Sequence, residues 1–321
     1  MDVYNRFAAA RIPQGDAMTI ARRYTLSILM GTLAMAGPAL AGPQETAQGQ
    51  PPSEEELHVR TQKLLANQHG DDAALELYER VERHVDRSGD PNPRTLADKT
   101  YRMVPNGSGT QRIVLRIGDK PVEPAEYNEQ MEALEGVLRT MANSSDPRAK
   151  AAYAKRAKRD KDRADFLDAM KEAFIPKWLG SETRNGRACD VFELDPNPSF
   201  HPRSMFQDAL THVTAKIWVD HETTQLARGE ARVMRDVSFG GGILGKLYRG
   251  SVVTIEQEPV APGVWLPTHY QYDFAGRKFL FSFQQHALID VTRYRRVGPP
   301  KEALQIVQNE LANGKTFSED P

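Results

Sequence analysis

Two periodicities divide the chain. Apolar residues recur at helical spacing from Ser53 to about Arg87 and again over residues 121–174; from Lys177 onward they alternate with polar ones. Ser53 followed by Glu54, Glu55 and Glu56 reads as a helix start, a hydroxyl cap with acids at the positive end of the dipole. The pattern breaks near Gly70–Asp71 and is carried further by Ala74, Leu77, Tyr78 and Val81. Strands are predicted over 100–104 and 111–117, turning at "PNGSG". In the segment 121–174, a helical insertion, Met131, Leu134, Val137, Leu138 and Met141 form one stripe, and Asp146–Pro147 opens a second helix with a cap and a first-turn proline. A short amphipathic helix closes the chain before Asn313–Gly314.

The second half reads as an antiparallel meander. Asn185–Gly186 is a strong hairpin signal, and further turns are predicted at 221–224, 259–263 and Ala275–Gly276. Helices followed by a run of strands predict an α+β domain with the helices against one face of the sheet. Tyr270, Tyr272 and Phe274 alternate on one strand, and Phe279, Phe281 and Phe283 on the next. With a turn at Ala275–Gly276, Tyr272 faces Phe279, Tyr270 faces Phe281, and Asp273 meets Lys278 on the reverse side. Trp218, Val233, Val237, Phe239, Val253, Ile255 and Trp265 offer apolar positions beside them. By pattern alone such a face is packed core, and it becomes a ligand cavity only where the sheet curves more than the helices fill.

The stretch "DVSFGGGILGKLYRGS" holds Gly240, four residues, then Gly245–Lys246, the beginning of a phosphate-binding loop. Leu247 stands where that loop needs Ser or Thr for its magnesium ion, and a strand pattern follows where it needs a helix. The expectation is a glycine-rich connection between strands, with no nucleotide. His201, His212, His221, His269 and His286 lack metal-binding spacing, and no nucleophile-elbow pattern occurs. No metal, no cofactor and no catalytic residues are assigned. Asp220–His221–Glu222 reads as a polar turn.

Composition adds little to this and the N-terminus adds more. The chain has 321 residues and a formal net charge of −1, which gives no reason to expect a nucleic acid partner. The single cysteine, Cys189, excludes an internal disulfide and reads as a small buried hydrophobe. Arg22 and Arg23, an apolar run to Ala36, and Ala39–Leu40–Ala41 before Gly42 make residues 1–41 a signal peptide, with Met18 a candidate true start. No lipidation cysteine follows it, so a periplasmic location is expected. Residues 42–53 read as a linker and 54–321 as one domain. Lys155, Arg156, Lys158, Arg159, Lys161 and Arg163 belong to a basic helical stretch whose two readings are a solvated, ion-paired face and a contact with anionic membrane lipid.

The segments "LGSETRNGRACDVFELDPNP" and "AKIWVDHETTQLARGEARV" resemble the periplasmic outer-membrane lipoprotein-sorting proteins over residues 177–297. Gly180, Gly186 and Arg187 match that family's hairpin. Ile217, Trp218, Asp220, Thr224 and Arg228 match its strand–turn–strand segment. The resemblance implies a strongly curved antiparallel sheet, a half-barrel closed by helices, whose hollow apolar interior takes the acyl chain of a lipid or lipoprotein. It implies a non-enzymatic binding protein. Trp218, Val233, Val237, Phe239, Val253, Ile255, Trp265, Tyr270, Tyr272, Phe279, Phe281 and Phe283 then become cavity residues, and Gly240, Gly241, Gly242, Ile243, Leu244 and Gly245 a loop at its mouth. The alternatives are an envelope sensor or protein-interaction component of the same fold, or an exported hydrolase organised around His221.

Overall fold

In the computed structural model residues 51–89, 93–239, 245–279 and 281–314 are described. The signal peptide, most of the linker, and Gly240, Gly241, Gly242, Ile243 and Leu244 lie outside them. The Ser53 hydroxyl accepts from the Glu56 N–H at 3.3 Å, while Glu56 Oε2 accepts from the Ser53 N–H at 2.8 Å. This capping box starts helix α1, Glu54–Leu75, which continues through Gly70. The helical reading fails after that, because Tyr78–Arg87 is strand β1. Val81 and Val85, four apart, fit either period. Strand partners on both sides, β2 (Thr95–Pro105) and β13 (Phe281–Arg296), decide for the strand. Period two then puts Arg80, Glu82 and His84 on one face and Glu79, Val81 and Val85 on the other.

One antiparallel sheet carries the domain. Its strands run in the order β4 (Lys120–Pro121), β3 (Thr110–Ile117), β2, β1, β13, β12 (Val264–Lys278), β11 (Val252–Ala261), β8 (Leu226–Val233), β7 (Val213–Asp220), β6 (Arg187–Pro196) and β5 (Phe174–Arg184). The edges β4 and β5 do not pair with each other, so the sheet is open, not a closed barrel. Two short strands, β9 (Val237–Phe239) and β10 (Gly245–Leu247), pair with each other, and β10 pairs with the far end of β12. The class is α+β, as expected.

The helices occupy both faces instead of one. On the outer face α2 (Pro124–Ala142) and α5 (Pro300–Ala312) pack together, and Met131, Leu134, Leu138, Ala303 and Val307 bury Val81, Val104, Ile113 and Leu115. On the inner face lie α1, α3 (Pro147–Ala173) and the single-turn α4 (Met205–Leu210). The apolar face itself changes side along the sheet. It points outward in β1–β3 but inward in β11–β13, where Val253, Tyr272, Ala287, Ile289 and Val291 cluster. Each part needs its own cover.

A buried ion network ties α5 to the outer face. Arg102, 1% exposed, donates to Glu79 Oε2 from Nε at 3.0 Å and Nη2 at 2.8 Å, and from Nη1 to Glu310 Oε2 and the Tyr127 hydroxyl at 2.8 and 2.9 Å. Arg295 donates to Glu310 Oε1 at 2.8 Å. Burial works against the Arg102 charge, and Glu79 with Glu310 more than restores it.

The predicted hairpin at Asn185–Gly186 is present with φ of 47° and 76°, the left-handed pair such a turn needs. The predicted turn at Ala275–Gly276 is not. Both residues stay in β12, and the reversal comes at Phe279, φ 53°. Gly276 pairs with Leu247 of β10, and a Cβ there would lie 2.4 Å from the Lys246 carbonyl and 2.8 Å from the Phe283 ring. The glycine serves the close approach of a third strand, not a turn. Tyr272 therefore pairs with Ala287, Tyr270 with Ile289, and Asp273 with His286, whose Nδ1 lies 2.8 Å from Asp273 Oδ1. The register moves by an even number of residues, so Tyr270, Tyr272 and Phe274 still share a face with Phe281 and Phe283.

Candidate functional site

A cavity of about 1570 Å³ separates the inner face from the helices. Its floor is Val253, Ile255 and Gln257 of β11, Trp265, Tyr270 and Tyr272 of β12, and Ile289 of β13. Arg80, Glu82 and His84 of β1 continue that floor. The roof is Gln68, Asp71 and Asp72 of α1 and Glu76 at its C-cap, with Arg156, Arg163, Phe166 and Ala169 of α3. The volume exceeds the roughly 300–1,000 Å³ of ordinary small-molecule pockets, so it has room for a large or multi-armed occupant.

Of the sequence-predicted cavity residues, Val253, Ile255, Trp265, Tyr270 and Tyr272 line this space. Val233, Val237 and Phe239 lie elsewhere on the inner side, packed with Leu247 and with Ala209 of α4 as filled core. Phe279 and Phe281 stand at the β12–β13 hairpin tip, 53% and 78% exposed, because the reversal comes late. Phe283 is half-buried against Gly276. Gly245 is buried in β10, and Lys246 pairs with Asp236 at 3.0 Å; the segment after Gly245 is strand, not the helix a phosphate loop requires.

Trp218 is on the wrong face for the cavity. It pairs with Arg228, which pairs with Glu256, one position out of step with the inward Ile255. Outside, it packs with Cys189 and Val191. Its Nε1 donates to Glu182 Oε2 at 2.8 Å, and Lys216, Arg184 and Arg228 stand 4.6–5.5 Å from its ring.

The charged part of the lining went unread in the sequence. Arg80 Nε donates to Glu82 Oε1 at 2.7 Å, and His84 Nε2 lies 2.7 Å from Glu82 Oε2. Burial alone would raise the Glu82 carboxyl, but Arg80 and His84 hold it at about 2. The signal was the alternation in "YERVERHV", hidden by the helix-compatible valines. In the roof, Arg163 pairs with Asp72 and Arg156 with Glu76. Arg156 also donates to the Gly107 carbonyl at 2.8 Å, and Lys161 pairs with Asp165 at 2.6 Å. Arg156 and Arg163 thus tie α3 to its neighbours, while Lys161 pairs within the helix.

Asp71 is the exception to this pairing. It is 4% exposed; Oδ1 accepts from the Trp265 N–H at 2.9 Å, and Oδ2 is buried with no hydrogen-bond partner among the described residues. Burial pushes its carboxyl up to about 6, with Asp72 adding to the rise. An acid raised in the folded state costs stability as pH climbs from the unfolded value of 3.8 through about 6, and the cost is complete above that. Asp71→Asn keeps the Trp265 contact and is expected to add about 1–3 kcal/mol at pH 7.5 but nothing at pH 3, read by urea unfolding. An equal effect at both pH values would refute the assignment.

The histidine in the polar turn belongs to a different cluster. Asp190 accepts from Ser181 Oγ at 2.9 Å and Trp178 Nε1 at 3.4 Å, while His221 Nδ1 lies 2.9 Å from its Oδ2 and Arg60 donates to the same oxygen. Burial would raise its pKa, and these partners hold it below the usual range. Ser181 is bonded to the carboxylate, not to the imidazole, so this arrangement presents no activated hydroxyl. Asp220 anchors its turn, accepting from Arg187 Nε at 2.6 Å and the Thr223 N–H at 2.8 Å. Cys189 is buried and its thiol pushed up to about 11, far from a reactive thiolate. Among the described residues no helix is long and apolar enough to cross a membrane.

No protein-family profile and no curated protein matches the chain. Among solved structures, it is similar to an outer membrane lipoprotein-sorting protein domain from Vibrio parahaemolyticus, at 9% identity and a TM-score of 0.30 over 78% of this chain and 99% of that one. It is also similar to a LolA-superfamily protein from Nitrosomonas europaea, at 10% identity and a TM-score of 0.26 over 76% and 96%. A DUF1329 family protein from Desulfovibrio piger aligns at 12% identity and a TM-score of 0.28 over 74% and 92%. These superpositions are loose.

Proposed function

We propose that this chain is an exported, non-enzymatic binding protein that holds the acyl chain of a lipid or lipoprotein between its sheet and its helical roof. The cavity carries this reading. It is about 1570 Å³, walled by Val253, Ile255, Tyr272 and Ile289 below and Phe166 and Ala169 above. The apolar part of these walls leaves an acyl chain better solvated inside than in water, by about 0.8 kcal/mol per buried methylene. The signal-peptide pattern of residues 1–41 is consistent with work in the bacterial envelope, and lipoprotein sorting is the process we infer for it. A fluorescent fatty acid is expected to bind saturably to the wild-type protein. Tyr272→Glu should weaken that binding at least tenfold, because its carboxylate would be desolvated beside the chain. Absence of saturable binding by the folded wild type would refute the reading.

A further inference from the structure

Arg80 is an incompletely used guanidinium. It carries five N–H donors, and only the Nε–H is committed, to Glu82 Oε1. Neither terminal nitrogen has a hydrogen-bond partner among the described residues, and neither is sealed from solvent. The side chain is 12% exposed, and it lines the cavity. Glu82 is gripped from its second oxygen by His84, so the carboxylate that holds Nε is itself fixed. Such bracing turns a flexible arginine into a set fork whose outer edge is unoccupied.

A second donor lines the same cavity. Tyr270 lies two strands away on the same face, aligned through Ile289 of β13 with His84, four residues along β1 from Arg80. Its hydroxyl has no hydrogen-bond partner among the described residues, and its ring lines the cavity. Burial pushes that hydroxyl up, and Arg80 is the strongest of the charges opposing this. Arg163, held by Asp72, acts on Tyr270 from the roof. At this point of the floor the uncommitted groups are the Arg80 N–H edge and the Tyr270 hydroxyl, which call for acceptor oxygens on the occupant, while the unbonded acceptors Asp71 Oδ2 and Glu76 Oε2 belong to the roof. A guanidinium edge pairs bidentately with two oxygens on one centre, as in a carboxylate.

We propose that Arg80 and Tyr270 form a head-group subsite on the cavity floor that takes the carboxylate or ester carbonyl of an acyl chain, with the tail running over Val253, Ile255 and Tyr272. This rests on the acyl-binding reading above and adds the polarity of the bound end. It assigns Arg80 a role in binding and not in folding alone, since an arginine needed only to neutralise Glu82 has no reason to keep its outer edge open.

The test is displacement of N-phenyl-1-naphthylamine, a neutral apolar dye, by three amphiphiles of equal chain length: dodecanoate, methyl dodecanoate and dodecyltrimethylammonium. Wild-type protein is expected to prefer the first two over the ammonium by roughly tenfold or more, the size of a charge-assisted hydrogen-bond pair. Dodecanoate ahead of its ester means the site uses the charge; equality means it reads the carbonyl alone, and either supports the subsite. Arg80→Met with Glu82→Gln removes the pair without stranding a buried charge, and should erase the preference while dye binding persists. Tyr270→Phe should reduce it about threefold, and Arg80→Lys, which keeps charge but loses the fork, should fall between. No head-group preference in the wild type, or an unchanged one in the double variant, overturns the proposal while leaving acyl binding intact. Failure of the dye itself to bind refutes acyl binding and the subsite together.

Discussion

Arg102→Met is expected to lower unfolding free energy by about 3–5 kcal/mol, the cost of removing one partner from a buried ion network. The reason is what remains. Glu79 and Glu310 would face each other across the space Arg102 fills, with only the half-exposed Arg295 between them. The Tyr127 hydroxyl would also lose its donor. The loss should appear as a lower urea midpoint and the release of α5, whose Glu310 ties it to Arg102 of β2 and Arg295 of β13. Adding Glu79→Gln and Glu310→Gln should recover a large part of the stability, because the uncompensated charges, not the missing contacts, dominate the cost. A loss under about 1 kcal/mol for Arg102→Met alone would mean that water or Arg295 already solvates both carboxylates.

The second large effect is expected at Trp218. Trp218→Ala should cost about 3–5 kcal/mol, as for a large aromatic removed from a packed site. The ring is 4% exposed and covers Cys189 and Val191, while Arg184, Lys216 and Arg228 rest on its face. Because it lies on the outer side of the sheet, fatty-acid binding by the protein that still folds should be unchanged. Lost binding at unchanged stability would return Trp218 to the cavity wall and contradict the strand register.

Local rules made much of the fold legible. A serine before three glutamates closes a capping box wherever the chain can turn, since both partners lie within four residues. Asn185–Gly186 makes its turn because those residues tolerate left-handed backbone. The stripe on α2 and the cap at Asp146 are likewise local, and so is the alternation that put Tyr270 and Tyr272 on one face. The parity of that face survived even the wrong turn, because the shift was even.

What the sequence determined by itself, then, was whatever depends on neighbours within a turn or a strand: caps, the tight hairpin, the α+β class, and which aromatics share a side. The tertiary structure decided the rest, because partners distant in sequence supplied the deciding energy. Strands on both sides made β1 a strand although its valines fit a helix equally well. The approach of β10 kept Gly276 in β12 and moved Phe279 and Phe281 to an exposed tip. Strand pairing sent Trp218 outward. The charged floor of the cavity was the least legible part, because a sequence read for apolar faces takes Arg80, Glu82 and His84 for solvent positions. Only a sheet with space above it, and a carboxylate braced from both sides, makes them part of an interior.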